Sequence, residues 1–314
     1  MRCLVLSDIH SNLEAFQAVL DDAGPVDQIW CLGDVVGYGP DPNACVELLR
    51  SKPHLCIAGN HDWATLGKLD LNDFNPDAAA ANLWNRNQLT PENLAFLGAL
   101  PERWVEGSFT MAHGSPCHPV WEYLISPSSA QAAVDCFDTL YCFVGHTHVP
   151  IVFRLGSGTR GDRCEPVLPR PNKPMELGAG RMIMNPGGVG QPRDGDPRAS
   201  YMSLDLPALP APRPQACGVP CACALGRPLL RGPVPPVPAP YLSVPDGFGQ
   251  VQADTAKEAI LQRHRGAHAQ AEGSPGEPVT VEHHRVEYPF EHTQAKMRRH
   301  GLPPRLIARL AYGW

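Results

Sequence analysis

The chain has 314 residues, with 26 Lys and Arg against 32 Asp and Glu, and 43% of its residues are hydrophobic. A net charge of −6 gives no electrostatic pull toward duplex nucleic acid, and no run of about 18 apolar residues is present to cross a membrane. The length suits one large α/β unit or two smaller ones.

In chain order, Arg2-Cys3-Leu4-Val5-Leu6 reads as a strand that reaches Asp8 and His10 within ten residues, which fits no secretory signal. Leu13, Phe16, Val19 and Leu20 then follow helical spacing behind Ser11 and Asn12, both good capping residues. Short apolar runs at 26–32, 55–58 and 141–144 read as further strands, each followed by Gly and polar residues. Residues 44–49 and 78–83 read as helices. Strand–helix alternation with polar residues at strand ends is the pattern of an open α/β sheet that binds its ligand there. The second half is more hairpin-like, with strands expected at 150–155, 181–184, 199–206 and 279–288.

Proline, 35 residues in all, is concentrated between Pro207 and Pro245. It has no N–H to give a helix or a central strand, so 207–278 reads as an extended, flexible insertion holding a weak helix near 253–265. The insertion interrupts a hairpin at its tip, where added length costs little because loop-closure entropy grows only logarithmically. The expectation is one domain over 1–314, interrupted at 207–278. At its end Gly301 and Pro303-Pro304 divide two short helices over 292–314 that pack on that domain. The insertion also offers polyproline segments to a partner.

The 11 Cys are an odd number, and Cys3, Cys31, Cys56 and Cys142 lie inside apolar runs. They read as reduced, buried thiols of a cytoplasmic protein. Cys217, Cys221 and Cys223 lack the spacing of a zinc ribbon.

Five short motifs carry the chemistry: Ser7-Asp8-Ile9-His10, Gly33-Asp34-Val35-Val36-Gly37-Tyr38-Gly39, Gly59-Asn60-His61-Asp62, Ala112-His113-Gly114 and Gly145-His146-Thr147-His148. In an extended chain residues i and i+2 point the same way, so Asp8 pairs with His10 and His146 with His148. With Asp34, Asn60 and His113 they make seven O and N donors, more than one ion takes but enough for two ions sharing a carboxylate. The absence of thiolate points away from structural zinc and toward catalytic Mn²⁺, Fe, Zn²⁺ or Ni²⁺. One Asp or His alone would more often be a surface or core residue; seven at strand ends would not. His283 and His284 alternate across a strand and cannot share an ion.

The order DxH, GDxxxxG, GNHD, a lone His and GHTH resembles the calcineurin-like dinuclear metallophosphoesterase superfamily. The run Asn185-Pro186-Gly187-Gly188-Val189-Gly190-Gln191-Pro192-Arg193 resembles its small bacterial and archaeal branch, grouped with diadenosine-tetraphosphatase-like enzymes. The resemblance covers about 1–206 and resumes near 279. It implies a four-layer α/β/β/α sandwich of two mixed β-sheets. It also implies two divalent ions, Mn²⁺ foremost, one on Asp8, His10, Asp34 and His148 and the other on Asp34, Asn60, His113 and His146. His61 matches the catalytic histidine, with Asp62 placed to orient it, and Arg193 is a candidate phosphate contact.

The implied reaction is hydrolysis of a phosphomonoester or phosphodiester by in-line attack of a hydroxide held between the ions, on a small phosphorylated substrate, with no duplex nucleic acid and no membrane as partner. Dinucleoside polyphosphate hydrolysis and serine/threonine protein phosphatase activity are the nearest alternatives. A non-catalytic protein-binding scaffold, as in a retromer subunit, is more distant, since it predicts eroded ligands.

Overall fold

The computed structural model describes residues 1–156, 164–206 and 278–314. The interior of the proline-rich segment, with its expected helix near 253–265, lies outside the described residues. Strands are β1 (Arg2–Leu6), β2 (Gln28–Cys31), β3 (His54–Cys56), β4 (Arg103–Glu106), β5 (Phe109–Ala112), β6 (Tyr141–Phe143), β7 (Ile151–Arg154), β8 (Glu165–Val167), β9 (Pro174–Glu176), β10 (Met182–Asn185), β11 (Ala199–Asp205) and β12 (Thr280–Val286). Helices are α1 (Leu13–Ala23), α2 (Pro42–Arg50), α3 (Asn60–Leu66), α4 (Pro76–Gln88), α5 (Pro91–Gly98), α6 (Pro127–Ala132), α7 (Phe290–Arg299) and α8 (Pro304–Arg309). None of the described helices is long and apolar enough to cross a membrane.

The strands form two six-stranded mixed sheets, ordered β3-β2-β1-β11-β12-β9 and β4-β5-β6-β10-β7-β8. The first strand shows how the layers arise. Because side chains alternate across a strand, Leu4 and Leu6 pack outward with Phe16 and Val19 of α1 and Val46 and Leu49 of α2. Cys3 and Val5 face inward, in the core between the sheets with Trp30, Phe109, Phe143 and Met184. On the far side Cys142, Phe153 and Ile183 pack against Ala130, Ala133 and Phe137 around α6. Strands buried on both faces must read as unbroken apolar runs, as 3–6 and 141–144 do. The four-layer α/β/β/α expectation holds.

β11 and β12 pair antiparallel from Ala199↔Val286 to Asp205↔Thr280, so the strands flanking the proline-rich segment are hairpin partners. The C-terminal helices bury Met297, Leu306, Ile307 and Leu310 against Ala78 and Ala81 of α4 and against Tyr38. Cys3, Cys31, Cys56 and Cys142 are free and buried as expected. Cys117 and Cys136 depart from that expectation and are joined as a disulfide. Neither lies in an apolar strand run, and folding of the loop after β5 brings them together.

Sheet direction positions the site. β1, β2 and β3 run parallel in one sheet, and β5, β6 and β10 in the other. Asp8 and His10 follow β1, Asp34 follows β2, Asn60 opens α3 after β3, His113 follows β5, and His146 and His148 follow β6. All of these side chains therefore leave the carboxyl ends of parallel strands, the general ligand edge of α/β sheets.

Candidate metal centre

All seven residues predicted as metal ligands converge and are buried. Six of them form two clusters, Asp8 with His10 and His148, and Asp34 with His113 and His146, each with its ligand atoms within 4.8 Å of one another. Asp8 Oδ1 lies 3.1 Å from His148 Nε2 and 3.7 Å from His10 Nε2. Asp34 Oδ2 lies 3.2 Å from His113 Nε2 and 3.7 Å from His10 Nε2, so one oxygen faces both clusters. Asn60 Oδ1 sits 3.1 Å from His113 Nε2.

The geometry of convergence differs from the extended-strand expectation. β1 ends at Leu6, and Asp8 and His10 adopt left-handed backbone, with φ of 58° and 49°. Asp34, His146 and His148 do likewise, at 52°, 65° and 59°. Such conformations cost non-glycine residues about 1–3 kcal/mol each and persist only where surrounding bonds enforce them. Here His10 N–H donates to Asp34 O (2.9 Å), Gly190 N–H to Asp8 O (2.8 Å) and Gly145 N–H to His113 O (2.8 Å). The carboxylates share in this: Asp8 Oδ2 accepts from His146 N–H at 3.1 Å, and Asp34 Oδ1 from His61 N–H at 2.8 Å. A Cβ at Gly59 would overlap Asp34 Oδ1, and one at Gly145 would overlap Ser7 Oγ, so both positions require glycine.

Backbone carbonyls orient the imidazoles. His10 Nδ1–H donates to Val36 O (3.2 Å), His113 Nδ1–H to Leu32 O (2.8 Å), and His148 Nδ1–H to Gln191 O. Each bond fixes the tautomer that leaves an Nε2 lone pair aimed inward, as a metal-ligating histidine requires. Asp8 Oδ1, Asp34 Oδ2 and His146 Nε2 are buried without a hydrogen-bond partner. Orphaned buried acceptors normally cost about 1–3 kcal/mol apiece. Their grouping beside inward Nε2 atoms, with no thiolate among them, fits a pair of divalent cations.

Burial pushes the Asp8 and Asp34 carboxyls up, but the imidazoles of His148 and His113 outweigh it and hold both well below the usual carboxylate range. Burial pulls His113 down, yet the Asp34 carboxylate overrides it and carries the ring to about 9. Burial lowers His146 to about 3, His61 to about 4, and His10 well below its ordinary value.

His61 stands beside the clusters, its ring centroid 4.9 Å from that of His10. Its Nδ1–H donates to Asn82 Oδ1 at 2.9 Å. The expected orienting residue, Asp62, does something else: its oxygens accept from Val36 N–H (3.1 Å) and Gly59 N–H (3.0 Å), capping α3 and tying two ligand loops together. Burial raises that carboxyl to about 7. Asn82 gave no signal in sequence, being one of several Asn in α4. Arg193 does reach the site, donating from Nη2 to Tyr38 Oη (3.3 Å) and Gln191 Oε1 (3.1 Å), with Nε buried and unpaired. Its neighbour Asp194 pairs instead with Arg285. The Asn185–Gly188 loop serves shape, since a Cβ at Gly188 would press on the His148 ring at 3.2 Å.

Comparison with known proteins agrees with this geometry. The model of the calcineurin-like phosphoesterase superfamily domain matches residues 1–208. The chain belongs to that superfamily. It is 40% identical to the crystal structure of a metallophosphoesterase from Sphaerobacter thermophilus, covering 100% of this chain and 99% of that one at a TM-score of 0.69. An uncharacterized protein of Methanocaldococcus jannaschii is 42% identical over 208 residues, 64% of this chain and 81% of that protein. A symmetrical bis(5'-nucleosyl)-tetraphosphatase of Pseudomonas putida is 28% identical over 130 residues, 34% of this chain and 45% of that enzyme.

Proposed function

We propose that this calcineurin-like phosphoesterase hydrolyses phosphomonoesters or phosphodiesters at a dinuclear centre. Asp8, His10, Asp34 and His148 would hold one ion, and Asp34, Asn60, His113 and His146 the other. The observation that carries this reading is Asp34 Oδ2, buried, unpaired and within 3.7 Å of imidazole nitrogens from both clusters. Two divalent cations, with Mn²⁺ the first choice, supply charge neutralisation at the phosphoryl oxygens and acidify water toward neutral pH. The protein's own residues do the rest. Val36, Leu32 and Gln191 carbonyls keep three imidazoles in register. Arg193, anchored by Tyr38 and Gln191, presents its free Nε–H to a phosphate oxygen.

His61 is the proton donor to the leaving oxygen. With Nδ1–H held by Asn82, Nε2 makes no hydrogen bond among the described residues and is the atom left to face the ester. An entering phosphate favours the imidazolium that burial disfavours. Hydrolysis of p-nitrophenyl phosphate and bis(p-nitrophenyl) phosphate, measured with and without Mn²⁺ and after chelation, tests the proposal. Activity that chelation removes and Mn²⁺ restores is expected; activity indifferent to both overturns it. The partial likeness to a bis(5'-nucleosyl)-tetraphosphatase supports a second reading, cleavage of dinucleoside polyphosphates, which diadenosine tetraphosphate in the same panel would separate.

A further inference from the structure

The phosphate-handling residues leave one wall of the site without a role, the loop from Gly114 to Leu124 between β5 and α6. The loop is tied to itself several times. Gly114 N–H donates to Pro119 O (2.6 Å), His118 N–H to Ser115 Oγ (2.9 Å), Ser115 Oγ pairs with Glu122, and Cys117 is bonded to Cys136. The turn is so tight that a Cβ at Gly114 would come within 2.7 Å of Glu122 N.

This pinning holds two large rings where solvent reaches them. Trp121 is 41% exposed and Tyr123 50%. Both border the candidate centre: Tyr123 stacks on the His146 ring at 3.8 Å, and Trp121 lies 6.4 Å from it. Phe74, from a separate segment, backs Trp121 at 5.0 Å and meets His61 at 5.2 Å. The rings therefore form an arc from the proton-donor candidate to a metal-ligand candidate. The Arg193 guanidinium lies 5.7 Å from the Tyr38 ring, which itself sits 4.3 Å from the His61 ring. Each ring is backed on one side, Tyr123 by His146 and Trp121 by Phe74, and the braced loop holds the exposed remainder of both beside the candidate phosphate site.

We infer that Trp121 and Tyr123 form a stacking platform for a flat aromatic ring carried by the phosphoester, a nucleobase or an aryl group. The inference rests on the phosphoesterase reading and specifies the substrate class of the same site. The phosphoryl group would be held by the ions on the Asp8 and Asp34 clusters and by Arg193, and the ring would lie on Trp121 with Tyr123 at its edge. Stacking of this kind is sequence-tolerant, so it selects for a ring without choosing among rings.

Phosphonates, whose C–P bond is not an ester, allow binding to be read without turnover. The metal-loaded full chain is titrated calorimetrically with methylphosphonate, benzylphosphonate, and the methylene phosphonate analogues of AMP and of ribose 5-phosphate. Benzyl or adenosyl ligands are expected to bind roughly 10-fold tighter than their ringless partners. The arm with the larger gain tells an aryl from a nucleobase source. Trp121→Ala should remove most of that gain while leaving methylphosphonate within about twofold, and Trp121→Phe should restore it. Equal binding of ringed and ringless ligands to the unmodified protein overturns the platform, as does a gain that survives Trp121→Ala combined with Tyr123→Leu. Failure of the phosphoesterase reading looks different: methylphosphonate itself would not bind and aryl phosphates would not be cleaved.

Discussion

Asp34→Asn tests the shared carboxylate directly. The amide keeps the Oδ1 acceptor that His61 N–H uses at 2.8 Å, so the local backbone retains its bond. At the other position it replaces an orphaned anionic oxygen, facing both clusters, with an N–H donor. Each ion loses a charged ligand, and perturbing even an outer partner of a ligand costs about 10–100-fold in metal affinity. At free metal a hundredfold above Kd, one ion adds about 2.7 kcal/mol of stability, so two independent ions add about 5 kcal/mol. For a domain of this size that raises Tm by roughly 10–20 °C. With both affinities cut about 100-fold, the same metal concentration adds under about 1 kcal/mol, and the shift shrinks to about 3 °C. Thermal melts of stripped and Mn²⁺-loaded protein, with elemental analysis after dialysis, read the difference. Asn60→Ala, which touches only the His113 cluster, should keep about half the shift. A full metal-induced shift in Asp34→Asn, or the same loss in both variants, would refute the bridging argument.

Asn82→Leu leaves His61 Nδ1–H without its acceptor, and kcat should fall about 10-fold or more on alkyl phosphates and far less on p-nitrophenyl phosphate, whose leaving group needs no proton; an equal loss on both would show that Asn82 acts through folding alone. His283, its Nδ1 buried without a partner and its Nε2–H donating to Ser200 Oγ at 2.8 Å, is pushed by burial to about 3. Its neutral form contributes stability in full above the unfolded value near 6.5, and that contribution is lost as pH falls toward 3. At pH 5 the loss is about 2 kcal/mol; between pH 7 and pH 5 urea melts should show a drop about 2 kcal/mol smaller in His283→Gln than in the native chain, and equal drops in both would refute the assignment. Reducing the Cys117–Cys136 bond, or Cys136→Ser, opens a loop with a sequence separation of 19 and should cost about 3 kcal/mol in the loop-entropy account; an unchanged midpoint in reductant would contradict it. Trp30, fully buried and edge-on to Phe109 at 5.3 Å between the sheets, should cost about 3–5 kcal/mol as Trp30→Ala by chemical denaturation.

Much of the protein was legible before folding was considered. β1 and β6 read correctly because strands buried on both faces need unbroken apolar runs, 3–6 in the first and 141–143 in the second. Asn12, expected as a cap, accepts from Ala15 N–H at 3.2 Å. Seven donors at strand ends pointed to the candidate centre because parallel strands deliver their carboxyl ends to one edge. Other assignments were out of reach. Asp8 and His10 were expected to converge along an extended strand and do so through left-handed backbone, enforced by bonds to Asp34 and Gly190 from distant loops. Asp62 stood next to His61 in the chain, yet the side chain that holds His61 belongs to Asn82 on α4.

The amino-acid order by itself determined the alternation of apolar strands and capped helices and the kinds of donor at their ends, since backbone periodicity and residue chemistry are local. The tertiary structure alone decided which oxygen faces two clusters, that Arg193 turns to the site while Asp194 pairs with Arg285, that Cys117 meets Cys136, and that Trp121 and Tyr123 stand over His146. Those facts depend on the register between two sheets and on loops closed across them, where the distance between side chains has no relation to their spacing along the chain.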